Sequence, residues 1–127
     1  MRPILAILLT VVSTSCATTK FVEKGTVDGV EIAYRWNHPM GKPSELLLRL
    51  KNTTTEDRNL NLAIDLYYQG RTLETMQADT CIRAGHTLNG KLNGIYFVPE
   101  RLTTAQIKDG GAQVETTKTV VEPTHCP

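Results

Sequence analysis

The chain has 127 residues, of which 21% are charged and 40% hydrophobic, and its formal net charge is +1. That length holds one domain around one core, and charges scattered singly along it argue against a disordered tail or a coiled coil. They also argue against a nucleic-acid partner, which needs a concentrated basic face.

The chain opens with a positive end, Met1-Arg2, and an apolar run from Pro3 to Val12. A permanent membrane helix takes about 20 apolar residues, more than this run supplies. A buried core helix would show a polar face, which the run lacks, so it reads as the h-region of a secretory signal. Loss of Arg2 with that leader leaves 13 basic and 13 acidic side chains.

The next residues, Val12-Ser13-Thr14-Ser15-Cys16, resemble the lipobox of bacterial lipoproteins. In that family small residues before the cysteine admit the signal peptidase, and the cysteine thiol carries a diacylglycerol. The resemblance implies a signal peptide at 1–15, cleavage between Ser15 and Cys16, a thioether-linked lipid on Cys16, and a further acyl chain such as palmitate on the freed amine. Ser13 stands where the family usually has Leu, with Val12 one place further back. The competing reading is an ordinary signal peptide with Ser13 and Ser15 as its small cleavage-site residues and Cys16 merely nearby. Two or three acyl chains on one residue make escape from a membrane negligible, whereas one chain binds marginally. Ala17 replaces the Asp that retains many lipoproteins at the inner membrane, so the resemblance favours an outer membrane in the cell envelope, with membrane lipid as the partner of acylated Cys16. Residues 16–22 then form the lipidated N-terminus and tether, and 23–127 the folded domain.

Phe21–Val27 and Val30–Trp36 flank Asp28-Gly29, a dipeptide suited to a type I′ hairpin turn. Val30, Ile32, Tyr34 and Trp36 share one face of the second strand. Trp36 is either a core-edge aromatic or an exposed platform for a sugar, with Tyr34 or Tyr96 beside it. Asn37–Ser44 is a loop by its Pro and Gly content. Leu46, Leu48 and Leu50 then alternate with Leu47, Arg49 and Lys51; a polar run, Asn52–Arg58, follows; and Leu60, Leu62, Ile64, Leu66 and Tyr68 alternate with Asn59, Asn61, Ala63, Asp65 and Tyr67. Two strands, each with one apolar wall, can bury those walls only against a second layer.

Gln69-Gly70 marks the next turn, and the weak alternation of Arg71–Ile82 suggests an edge strand or a crossover. Asn89-Gly90 and Asn93-Gly94 imply tight turns or a bulged strand before Ile95–Val98, where Pro99 ends the pairing. Thr103 and Gln106 have capping-box spacing, Leu102 and Ile107 can staple across it, and Gly110 follows, so one short helical turn is expected near 103–109. Ala112–Glu122 reads as a last strand. The expected fold is all-β, a two-layer antiparallel β-sandwich of about seven strands.

With Cys16 lipidated, Cys81 and Cys126 remain as a pair in an exported, oxidising compartment, where a disulfide is the default. The competing chemistry is a thiol nucleophile, Cys81 near His86 or Cys126 beside His125. His38, His86 and His125 are scattered singly, without zinc-ligand spacing, and no phosphate loop, GxSxG, HExxH or CxxC occurs. No metal, cofactor or catalytic set is therefore expected.

The Leu-alternating strand ending at Asn52, the Thr run after it, and Ile64-Asp65-Leu66-Tyr67-Tyr68-Gln69-Gly70-Arg71 resemble small immunoglobulin-like domains of bacterial envelope proteins. The resemblance covers about half of the mature chain and implies a sandwich without implying an activity. Two functions are consistent with these features. One is a membrane-anchored, non-catalytic binding or scaffold lipoprotein presenting loops such as 37–44 and 86–94 to an envelope protein. The other is a carbohydrate-binding accessory lipoprotein that uses Trp36 with Tyr34, Tyr67 or Tyr96.

Overall fold

The computed structural model describes residues 20–127; the leader 1–15, Cys16 and the residues up to 19 lie outside the described residues. In chain order the strands are β1 (Val22–Val27), β2 (Val30–Asn37), β3 (Glu45–Asn52), β4 (Arg58–Tyr68), β5 (Arg71–Ile82), β6 (Thr87–Asn89), β7 (Tyr96–Phe97) and β8 (Ala112–Pro123). One sheet runs β1-β2-β3-β6, with β7 also on β3, and the other runs β5-β4-β8. All pairings are antiparallel. The two-layer antiparallel sandwich is as expected, and the strand count is eight because one strand is split, as described below.

The alternating leucines make the core. Leu46, Leu48 and Leu50 from β3 and Leu60, Leu62, Ile64 and Leu66 from β4 are almost fully buried between the layers, with Val30, Ile82 and Val114. Burying each such side chain contributes about 1.5–3 kcal/mol relative to leaving it in water. Two hairpins set the register of this wall. Asp28 and Gly29 have φ of 44° and 79°, and Gln69 and Gly70 have 51° and 75°, so both turns carry the paired positive φ of type I′. Among the described residues Arg71–Ile82 is an edge strand, beside β4 alone.

In the immunoglobulin arrangement the second strand pairs with the fifth, whereas β2 here pairs with β3, the next along the chain. The likeness therefore extends to the layered architecture and not to strand order. Crossing between layers falls to the polar segment 53–57, to 83–86, and to 98–111, which contains helix α1 (Thr104–Lys108). Thr103 and Gln106 form a reciprocal capping box, and Leu102 and Ile107 are buried beneath the helix.

Strand directions give the sandwich two ends. The described chain starts at the end that holds 38–44, the Gln69-Gly70 turn and α1. The Asp28-Gly29 turn, 53–57, 83–86 and 124–127 lie at the opposite end, as the register requires.

Asn52 fastens that second end. It is fully buried, its Nδ2 donates to the carbonyls of Glu56 (2.8 Å) and Ile82 (2.9 Å), and its Oδ1 accepts from the Thr54 N–H and hydroxyl. One side chain thus joins the crossover after β3 to the end of β5.

Candidate interaction surface

Strands β6 and β7 are two halves of one edge strand. β6 pairs with Arg49, Leu50 and Lys51, and β7 with Leu46 and Leu47, so only Leu48 separates them on β3. Between the halves the chain leaves the sheet as a loop, Gly90–Ile95, containing a 3₁₀ turn at Lys91–Asn93. Leu48 holds both ends of the excursion: its carbonyl accepts from Gly90 N–H (2.8 Å), and its own N–H donates to the Ile95 carbonyl (3.1 Å). Ile95 N–H closes the loop on the Gly90 carbonyl at 2.9 Å, and Asn93 Oδ1 accepts from Asn89 N–H at 2.7 Å. The Asn-Gly pairs thus mark neither a hairpin turn nor a simple bulge but an edge strand interrupted by the excursion 90–95.

Gly90 has little room for a side chain. A Cβ there would lie 3.2 Å from Leu47 Cβ, at a φ of 24°. Close backbone approach to β3 therefore fixes the loop's root.

The loop presents apolar groups outward. Leu92 is 86% exposed, Tyr96 43% and Val98 38%, all within the stretch 92–98. Lys91 braces them: its Nζ lies 2.8 Å from Glu45 Oε2, and 5.7 Å from the Tyr96 ring centroid. Glu45 is buried, and among the described residues this ammonium is its ion-pair partner. Beside the loop, an open groove of about 350 Å³ runs between Met76–Thr80 of β5 and Asn93–Tyr96. Among the described residues the β5 edge along this groove has no neighbouring strand, which makes its outward N–H and C=O groups a template for an added strand.

The four aromatic residues considered for a sugar platform do not gather on one exposed surface. Tyr34 pairs with Leu48 and Trp36 with Leu46, so both rings lie on the core-facing side, half-buried against the core. Tyr96 pairs with Leu47 and lies on the opposite face of the same sheet. Burial, followed by the nearby Glu115 carboxylate, raises the Tyr34 hydroxyl above its ordinary pKa. Tyr67 lies on the outer face of the other sheet, its hydroxyl 3.4 Å from Asp65. The candidate partner loops also separate: 37–44 lies at the starting end of the sandwich, while of 86–94 the residues Thr87–Asn89 form β6 and 90–94 leave the sheet along its side.

Cys81 and Cys126 form a disulfide that ties the C-terminal tail to β5. Neither sulfur is a free thiol, so the nucleophile reading of these cysteines has no group to act. His38 Nδ1 lies 2.7 Å from Ser44 Oγ, which donates to Thr104 Oγ1 at 2.9 Å. Burial, and then Lys108, lowers the His38 pKa. Tyr68 donates to Asp109 at 2.8 Å, the contact that chiefly raises its pKa. His38 and Tyr68 both belong to the junction around α1, through Lys108 and Asp109, and among the described residues no three His, Cys, Asp or Glu side chains gather as metal ligands.

The sequence marks 86–94 as a candidate partner loop but does not single out Leu92 within it, because a leucine in a strand-rich segment reads as core. The usable signal was the pair of Asn-Gly steps that bracket it. No protein-family model, curated protein or solved structure matches this chain.

Proposed function

We propose that this protein is a membrane-anchored lipoprotein of the bacterial envelope, held through acylated Cys16, whose β-sandwich is a non-catalytic binding or scaffold module for another envelope protein. The observation that carries the binding role is the braced loop 90–95, which holds Leu92 in water next to an open strand edge. A rigid exposed leucine loses little conformational freedom when covered, and its burial contributes about 1.5–3 kcal/mol to a complex. The β5 edge offers main-chain hydrogen bonds to an extended segment of the partner, and the groove beside it receives alternate side chains. The lipobox resemblance and the oxidised cysteine pair both favour an exported location. With Ala17 after Cys16, the outer membrane is the proposed address.

Site-specific photo-crosslinking in cells tests this reading. A crosslinker at Leu92 is expected to capture one discrete envelope protein, and a crosslinker at Thr117 on the far edge strand is not. Leu92→Asp with a crosslinker at Tyr96 should abolish that adduct, and Cys16→Ala should remove it together with the protein's membrane retention. Equal capture from both edges would refute the assigned surface.

A further inference from the structure

We propose that the end of the sandwich from which the chain departs at Lys20 is a membrane-docking face, seated on anionic phospholipid headgroups with Met40 set among them. The inference rests on the acylated Cys16 proposed above.

Covalent reach comes first. From Cys16 to Phe21 the chain can span at most about 17 Å when fully extended. A sandwich whose longest strands have 11 and 12 residues is about 35–40 Å long, so the tether keeps the starting end within reach of the bilayer, whereas the other end meets it only if the molecule lies flat.

That end carries a stiff apolar tip. Lys42 N–H donates to the Pro39 carbonyl at 3.2 Å, closing a turn with Gly41 at φ 70°, and Pro43 follows directly. Ser44, the next residue, is buried and accepts no freedom to swing, because its N–H and hydroxyl both donate to Thr104 Oγ1. At the tip of this turn Met40 is 99% exposed. An open groove bounded by Met40, Lys42 and Lys108 lies beside it.

Charge is divided between the ends of a nearly neutral molecule. The connecting segments at the starting end carry Lys20, Lys42, Arg101 and Lys108 against Glu100 and Asp109. Of those two carboxylates, Asp109 is already engaged by the Tyr68 hydroxyl and the Gly111 N–H. At the opposite end the connecting segments carry Asp28, Glu56 and Asp57 against Arg83 alone. The positive end is thus the tethered one, and an anionic surface attracts Lys and Arg side chains held within a Debye length of it. A single methionine flanked by lysines suits the headgroup region, where an apolar group enters shallowly while cations stay at the phosphates. The same orientation points the loop 90–95 sideways and the acidic end outward.

The test uses the full-length, processed protein reconstituted into vesicles of phosphatidylglycerol and phosphatidylcholine whose acyl chains are brominated. A Trp36→Phe, Met40→Trp double variant places its one indole at the turn, and far-UV circular dichroism checks its fold. Its emission is expected to fall by about half or more, because the indole enters within reach of brominated chains about 5–10 Å below the surface. Adding Lys42→Glu and Lys108→Glu should restore the emission, while the wild-type Trp36 signal changes little throughout. A second measurement needs no variant: peroxide should oxidise Met40 several-fold more slowly on anionic than on purely phosphatidylcholine vesicles, with buried Met76 as the internal reference. Protein that floats with the vesicles while its indole stays unquenched overturns the docking face and leaves the anchor standing. Protein that does not float overturns the anchor and the docking face with it.

Discussion

The Asp57 carboxylate accepts the Cys126 backbone N–H at 2.9 Å through one oxygen and the Ala84 N–H at 2.9 Å through the other. Its own carbonyl accepts from Thr124 N–H at 3.1 Å. One aspartate in the crossover before β4 therefore organises the turn after β5 and the C-terminal tail together, next to the disulfide.

These bonds, Ala84's first and Cys126's second, hold the Asp57 carboxyl below the ordinary aspartate range. A depressed folded-state pKa gives stability that is complete above the unfolded pKa and lost as pH falls through the folded one. Acidification below the usual aspartate range should therefore loosen the turn at Ala84 and the backbone around Cys126, which the disulfide still tethers, before it opens the core. Amide exchange checks this: protection at Ala84, Thr124 and Cys126 is expected to fall with acid in the wild type and to be low and pH-independent in Asp57→Asn. Unchanged protection in the variant would contradict it.

The disulfide closes a loop with a sequence separation of 45. In the chain-entropy account, opening such a loop in the unfolded ensemble costs up to about 4 kcal/mol of stability. The double variant Cys81→Ser, Cys126→Ser is expected to unfold at lower denaturant with an altered slope, since the unfolded chain expands. The sheet pairing of β4 should survive, and a loss of folding altogether would show that the bridge supports more than the tail.

Asn52→Ala should cost about 3 kcal/mol, because it strips partners from the Ile82 and Glu56 carbonyls and the Thr54 N–H at a fully buried site. Asn52→Asp is the sharper variant: it keeps the acceptor toward Thr54 but turns an acceptor toward two carbonyls. Both are expected to lower the melting temperature, and Asp by at least as much as Ala at neutral pH.

Lys91→Met tests the brace of the loop. It leaves the Glu45 carboxylate buried without its ion pair, and half-exposure of the lysine limits the expected cost to about 1–3 kcal/mol. Lys91→Met, Glu45→Gln should recover part of that loss. Equal losses in the single and double variants would contradict a coupling between the two side chains.

Much of this architecture can be read from residue patterns because it is local. Leu46, Leu48 and Leu50 opposite Leu60, Leu62 and Ile64 state two walls, and Asp28-Gly29 and Gln69-Gly70 state their turns. The capping box at Thr103 is equally local. What escaped depends on pairing partners distant in sequence. Tyr96 faces away from Trp36 because β7 resumes on β3 after a looped-out segment, and no period within 87–98 reveals that offset. The same excursion exposes Leu92, and the rule that leucine belongs inside points the wrong way there. Asp57 looked like one more polar turn residue, since its partners Ala84 and Cys126 lie far along the chain.

The central claim is a lipid-anchored, disulfide-closed sandwich, and the intact mass of the protein from a membrane fraction tests it most directly. The account predicts a mass for cleavage before Cys16 plus acyl chains, a rise of about two daltons on reduction as one disulfide becomes two thiols, and loss of the acyl mass in Cys16→Ala. An unacylated mass recovered from the soluble fraction would contradict it.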